Sequence, residues 1–255
     1  MNYTDINART MDRRVESGWE WGRPIPHEIF AAAQEGRWDV VLTPTKPVPH
    51  DWFAPCIRNN RLEGAKILGL ASGGGQQMPI FAALGAECTV LDYSKRQLES
   101  ERLVADREGY EIEIVRADMT KRLPFEDSSF DLIFHPVSNC YVEDVQHVWN
   151  ECYRILRPGG VLLAGMDNGI AFLVGDRPPF VIEYKLPFNP LRNPAHRVHT
   201  EDDEIPIYEF SHTLEEQIGG QLKAGFILKD VYEDYDPGTF GEGVPAYWAT
   251  RALKS

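Results

Sequence analysis

Short apolar runs alternate with stretches of helical spacing through the middle of the chain, and turn residues separate them. The first run, residues 67–70, ends in the small-residue turn Ala71-Ser72-Gly73-Gly74-Gly75. A helix-like stretch follows, and a second apolar strand stops at Asp92. Ser94-Lys95-Arg96-Gln97 has the S-x-x-Q form of a capping box, which predicts a helix that Gly109 ends. Residues 111–115 alternate as a third strand and 130–134 read as a fourth. Residues 145–156 look helical and lead through Arg157-Pro158-Gly159-Gly160 to a strand at 161–164. Thr213-Leu214-Glu215-Glu216 is a second capping box, opening a helix that ends near Gly225. Residues 226–232 and 246–252 then read as two final strands. Strand–helix alternation of this kind predicts an α/β protein built on a doubly wound sheet.

Two regions depart from that rhythm. Residues 1–60 hold Trp19, Trp21, Trp38 and Trp52, with a helical stretch at 27–36. The prolines between Pro44 and Pro55 exclude a long helix or a central strand there. This segment reads either as a lid across the carboxyl edge of the sheet or as packing against the outer helices. Residues 168–210 carry Phe172, Phe180, Tyr184, Phe188 and Tyr208 among several prolines, without strong periodicity. A connection of that length in a compact domain is expected to cover a pocket. The acidic run Glu201-Asp202-Asp203-Glu204 reads as a solvated loop, and His196 and His199 near it lack metal-ligand spacing. No metal is expected.

Strand, glycine turn, helix, strand and acid form the layout of a βαβ nucleotide site. Glycines let a ligand approach the backbone, and the start of the following helix offers N–H groups to an anionic group. Asp92 stands where a carboxylate can accept both ribose hydroxyls. Gly73 and Gly75 give G-x-G, but Met78 occupies the place of the third glycine of a dinucleotide fingerprint. That disfavours a nicotinamide-dependent oxidoreductase. No G-K-[ST] follows, which excludes a P-loop.

The run instead resembles motif I of class I S-adenosylmethionine-dependent methyltransferases, in their type 11-like, small-molecule branch. The resemblance spans roughly residues 64–168 and includes the Leu-Arg-Pro-Gly-Gly turn at 156–160. It departs at Ala71, where the family has its first glycine, and at Gly69, where the family has an acid that orients the methionine end of the cofactor. Ser72, Gln76 or Gln77 are candidates to substitute for that acid. The resemblance implies a seven-stranded Rossmann-like sheet, mostly parallel, with an antiparallel last strand. It places a methyltransferase domain over 63–255, an N-terminal cap over 1–62 and a substrate-covering insertion at 168–210. It implies S-adenosyl-L-methionine as cofactor, held by Ala71, Ser72, Gly73, Gly75, Gln76, Gln77, Asp92, Tyr93, Ser94, Asp118, Met119, His135 and Pro136, with Asp118 at the position that takes the adenine amino group.

The implied activity is in-line methyl transfer to a small-molecule acceptor, driven by positioning and desolvation. His135, at the end of the fourth strand, has two readings: a general base, or a cofactor-lining residue that contributes backbone atoms only. Asn139, Tyr141, Trp52 and Phe172 are the candidate acceptor contacts. A cofactor-binding protein of the same fold without transferase activity is the alternative, because the acid at Gly69 is missing.

Composition narrows the partners. Net charge is −13, from 39 Asp+Glu against 26 Lys+Arg, which disfavours nucleic acid. The strand-four sequence His135-Pro136-Val137-Ser138 also lacks the motif usual in enzymes that methylate base amino groups. No stretch is long and apolar enough for a membrane span, and residues 1–5 lack a signal-peptide pattern. The four cysteines have no C-x-x-C spacing and read as reduced thiols, which together point to a cytoplasmic protein.

Overall fold

The computed structural model describes residues 2–174, 181–196, 198–199, 206–236, 238 and 240–255. Helices α1 (Tyr3–Glu16) and α2 (His27–Gln34) precede the first strand, β1 (Lys66–Leu70). The nucleotide-type unit continues with α3 (Gln77–Ala83), β2 (Glu87–Asp92), α4 (Lys95–Glu108) and β3 (Ile112–Arg116). Next come β4 (Phe130–His135), α5 (Val145–Ile155) and β5 (Leu156–Asp167). Two-residue strands β6 (Val198–His199) and β7 (Pro206–Ile207) pair with each other. The chain closes with α6 (Leu214–Ala224), β8 (Phe226–Asp236) and β9 (Gly241–Lys254).

Seven strands form one sheet in the order β3-β2-β1-β4-β5-β9-β8. The first five are parallel, and β9 inserts antiparallel between β5 and β8, as the resemblance implied. The order reverses between β1 and β4, and open α/β sheets place ligands outside the carboxyl ends of strands at such a point. Both halves of the Thr213 capping box form, and Gly109 and Gly225 take the left-handed conformation that ends α4 and α6. Only one half of the Ser94 box forms: Ser94 caps the Gln97 N–H, while the Gln97 side chain turns to the Trp21 carbonyl. The Arg157–Gly160 turn lies within β5, where the pairing with β4 jumps from Leu156 opposite Phe130 to Val161 opposite Leu132.

Each face of the sheet carries its own apolar cluster. One packs α5, with Val148, Trp149 and Ile155, against Leu68, Ile133 and Leu162. The other packs α3 against Ile67, Leu132 and Leu163, and includes Trp38, Leu42, Trp52, Phe53 and Leu62. Residues 38–62 therefore share a core with the sheet, and packing is continuous across the expected boundary at 62. Gly165 of β5 makes this possible: a Cβ there would run into the Leu42 carbonyl. That carbonyl also accepts from the Val137 N–H, 3.1 Å away, just beyond β4.

Helix α1 is absent from the sequence expectation, because its apolar content is too low for a periodic stripe. It is held instead by polar contacts. Asp12 accepts from Ser94 Oγ (2.7 Å) and the Arg96 N–H (2.9 Å), Glu16 pairs with Arg96 (2.7 Å), and Tyr93 Oη donates to Asp5 (2.7 Å). The Asn7 amide bonds both main-chain groups of Tyr208, each at 2.8 Å. The expectations for Phe180 and for the 201–204 acidic run lie outside the described residues. No helix among the described residues is long and apolar enough to cross a membrane.

Candidate active site

The glycine turn after β1 bends through conformations that disfavour side chains. Ala71 has φ +49°, Gly74 +105° and Gly75 +70°. Gly73 matters for space: a Cβ there would stand 2.7 Å from Gln97 Cβ and 3.0 Å from Asp92 Oδ2. Asp92 closes β2 and accepts from the Gly73 N–H at 3.2 Å and the Ser94 N–H at 2.9 Å. Burial pushes its carboxyl up to about 6 against the pull of those hydrogen bonds. Beside it, Ser72 Oγ donates to Gln77 Oε1 at 3.0 Å.

The missing acid has a structural counterpart. A Cβ on Gly69 would lie 2.8 Å from Met78 Sδ, so the Met78 thioether fills the space an acidic side chain would take. A second buried carboxylate lies behind the turn: Glu101 Oε1 accepts from the Gly75 N–H at 2.7 Å, and Oε2 has no partner. Burial pushes Glu101 up to about 8.

A cavity of about 910 Å³ runs from this turn along the carboxyl ends of β4 and β5. Met11, Trp19 and Trp21 from the N-terminal segment face it, with Thr43 and Pro44 beside them. At its far end stand Tyr141, Asp167, Phe172, Tyr184, Phe188, Glu209 and Tyr247.

Of the residues the sequence nominated, Ala71, Ser72, Gly73, Gln76, Gln77, Asp92, Pro136, Tyr141 and Phe172 line this cavity together. Gln76 also ties the turn to the N-terminal segment, its Nε2 donating to the Glu20 carbonyl at 2.8 Å. Gly75 turns to Glu101. Tyr93 and Ser94 turn to α1, as described above. Asp118 accepts from Thr4 Oγ1 (2.9 Å) and from the Thr120 N–H (2.9 Å) and hydroxyl (2.7 Å), and is not among the lining residues. Met119 packs against the α5-side core.

Three nominations need correction. His135 is 0 % exposed, with ring nitrogens 2.9 Å from the Leu70 carbonyl and 2.9 Å from Asn139 Oδ1. Burial lowers its pKa against the pull of these two contacts. A ring enclosed on both nitrogens has no path to a substrate proton, so His135 is a strut between β1 and β4. Asn139 is likewise enclosed and extends the chain of bonds to Gln217 of α6 at 3.1 Å. Trp52 is 2 % exposed and packs on Tyr232 at a ring separation of 5.1 Å, inside the core.

Asp167 and Glu209 escaped the sequence reading. A signal for Asp167 exists: it is an acid that ends the apolar strand β5, as Asp92 ends β2. Burial, reinforced by the Glu209 charge, pushes Asp167 up to about 7. Oδ1 accepts from the Gly169 N–H at 3.0 Å, while Oδ2 has no partner.

Comparison with known proteins places this geometry. The methyltransferase domain family matches residues 68–164. Over 253 residues the chain is 40% identical to the uncharacterised methyltransferase YbaJ of Bacillus subtilis (strain 168), covering 97% of each protein. The chain belongs to the class I methyltransferases. S-adenosylmethionine is the cofactor of this methyltransferase. Among solved structures it resembles the S-adenosylmethionine-dependent methyltransferase from Mesorhizobium loti, with TM-score 0.57 and 20% identity over 75% of this chain and 91% of that one. The demethylmenaquinone methyltransferase of Clavibacter sepedonicus is 37% identical over 99 residues, 38% of this chain and 39% of that protein.

Proposed function

We propose that this methyltransferase alkylates a small-molecule acceptor held inside the cavity, with Asp92 and the glycine turn holding the cofactor. The observation that carries the reading is the cavity itself. Its volume of about 910 Å³ falls within the roughly 300–1,000 Å³ of small-molecule sites. Aromatic side chains from both the N-terminal segment and the 168–210 region wall it in. The residues present fit the cofactor, since Asp92 and the turn at Ala71, Ser72 and Gly73 line the cavity together, and the bare Gly73 lets the turn lie close against Asp92.

When bound, the cofactor supplies an electrophilic methyl group. The chain's own residues bind, orient and exclude water. Asp92 accepts from the ribose hydroxyls, and the Ser72–Gln77 pair takes over orientation at the end where Met78 has displaced the family's acid. Pro136 contributes wall, and Tyr141 and Phe172 contact the acceptor. Tyr93, Ser94 and Asp118 act by seating α1 over the site. The Clavibacter sepedonicus relative, named a demethylmenaquinone methyltransferase, also fits the reading.

The test is incubation with S-adenosylmethionine and fractionated small-molecule extracts, monitoring the demethylated product. Turnover with a low-mass fraction is expected. Turnover only with protein or nucleic acid would overturn the reading. Met78 in the acid's place favours one second reading, a protein that binds the cofactor without transferring methyl. Tight binding by calorimetry with no turnover in any fraction would select it.

A further inference from the structure

We infer that α1 ties the cofactor end of the cavity to its acceptor wall, and that Asn7 is the positioning residue through which cofactor loading fixes residues 206–211. The inference rests on the proposal that Asp92 and the glycine turn hold the cofactor. Three observations carry it.

The first is the reach of α1. Its Asp12 accepts from Ser94 Oγ at 2.7 Å, and the Ser94 N–H donates to Asp92 at 2.9 Å. Two hydrogen bonds in series thus join α1 to the proposed ribose acceptor. Met11 of the same helix lines the cavity together with Gly73 and Asp92. Towards the other end, Asn7 bonds both main-chain groups of Tyr208 at 2.8 Å, and the Tyr3 ring packs on Phe210 at a ring separation of 5.3 Å. Glu209, between those two anchored residues, belongs to the cavity wall.

The second is how α1 is held. Its buried residues are Thr4, Asn7, Ala8 and Thr10, of which only Ala8 is apolar. Its bonds to the cofactor-side unit are polar: Thr4 to Asp118, Asp5 to Tyr93, Asp12 to Ser94 and Arg96, and Glu16 to Arg96. Such contacts are individually modest, so α1 opens at a lower free energy than the core strands. A ligand resting against Met11 and Asp92 favours the seated helix by mass action.

The third is the footing of the wall. Strand β7 pairs with β6 in a two-stranded sheet apart from the main one. Further on, the Phe210 N–H donates to the Cys140 carbonyl at 2.7 Å and the Ser211 N–H to the Phe188 carbonyl at 3.0 Å. Asn7 braces the stretch between these supports. A cofactor that seats α1 therefore orders the wall before the acceptor arrives, and transfer depends on that alignment. The coupling is reciprocal, so an acceptor that fixes the wall also tightens the cofactor.

The experiment measures hydrogen exchange of wild type and Asn7→Ala, each with and without S-adenosylhomocysteine at about 100 times its Kd. Phe210 and Ser211 are the deciding amides, because neither donates to Asn7 and neither loses its own bond in the variant. At that concentration an opening that releases the ligand is suppressed about 100-fold. In wild type the ligand is expected to slow exchange at least about tenfold, both along α1 and at Phe210 and Ser211. In Asn7→Ala the slowing along α1 should persist, while at Phe210 and Ser211 it should fall below about twofold. A merely structural Asn7 would speed exchange equally with and without ligand and leave that ratio at its wild-type value, which overturns the inference. A ligand that slows α1 but not Phe210 and Ser211 in wild type overturns it too. If Asn7→Ala does not fold by circular dichroism, Asp12→Ala decides, since it cuts α1 from Ser94 and Arg96. Slowing reduced together along α1 and at Phe210 and Ser211 supports the coupling, and slowing kept at Phe210 and Ser211 overturns it. Wild type that does not bind S-adenosylhomocysteine by calorimetry would overturn the cofactor-site reading on which the inference stands.

Discussion

The two ends of the cavity are built differently. At the cofactor end, Asp92 and Gly73 meet across 19 residues of a single βαβ unit, and the key contacts are to main-chain N–H groups. At the far end, Tyr141, Asp167, Phe172, Glu209 and Tyr247 arrive from segments far apart in the chain. Local geometry can be written in a short motif that many sequences share. An assembly from distant segments can change one side chain at a time without disturbing the βαβ unit. A shared cofactor and divergent acceptors follow from that division.

The largest expected effect sits at the cofactor end. Asp92→Ala removes the acceptor proposed for the ribose and should weaken S-adenosylmethionine by about 2–3 kcal/mol in calorimetry. Next comes Glu101→Gln. The Glu101 pKa is raised from its ordinary 4.5 to about 8, so the folded state resists its ionisation. Its contribution to stability is therefore complete below about pH 4.5 and lost as pH rises through about 8. The Gln variant escapes that loss, so its melting temperature should exceed that of wild type near pH 9 and match it near pH 4, a difference on the order of 1–3 kcal/mol. Asn7→Ala removes both bonds to the Tyr208 main chain and should cost about 1–2 kcal/mol in denaturant unfolding. Asn7→Gln would distinguish the loss of geometry from the loss of polarity. The smallest effect is expected for Ser72→Ala, which breaks the bond to Gln77 and should weaken the cofactor by about 0.5–1.5 kcal/mol. No change there would move the role of the missing acid away from this pair.

Much of the fold was legible because it is periodic or capped. The strands around β1 through β5 read from their apolar runs, and Thr213, Gly109 and Gly225 marked helix ends through local chemistry that tertiary structure left intact. Helix α1 was not legible, since its hold on Ser94, Arg96 and Tyr208 depends on residues far away in the chain. The same gap explains the site. Gly73 and Asp92 could be named from spacing, whereas the covering of Asp118 by Thr4 could not, because it takes a contact across 114 residues. The tryptophans divide for a related reason: Trp19 and Trp21 face the cavity and Trp38 and Trp52 enter the core, although hydropathy scores all four alike. The two readings of His135 could not be separated in the sequence, because position at a strand end does not reveal which way a ring turns, and here it turns inward between Leu70 and Asn139.

The close approach of Leu42 to Gly165 bears on modularity. The stretch common to the wider family begins at residue 68, yet β5 reserves bare backbone for a strand-like segment that precedes it. Residues 38–62 thus pack as part of the sheet's own core, and grafting residues 68–164 alone into another protein would bare the apolar surface that Trp38, Leu42 and Phe53 now cover. Exchanging acceptor preference between relatives would have to transplant both flanks together.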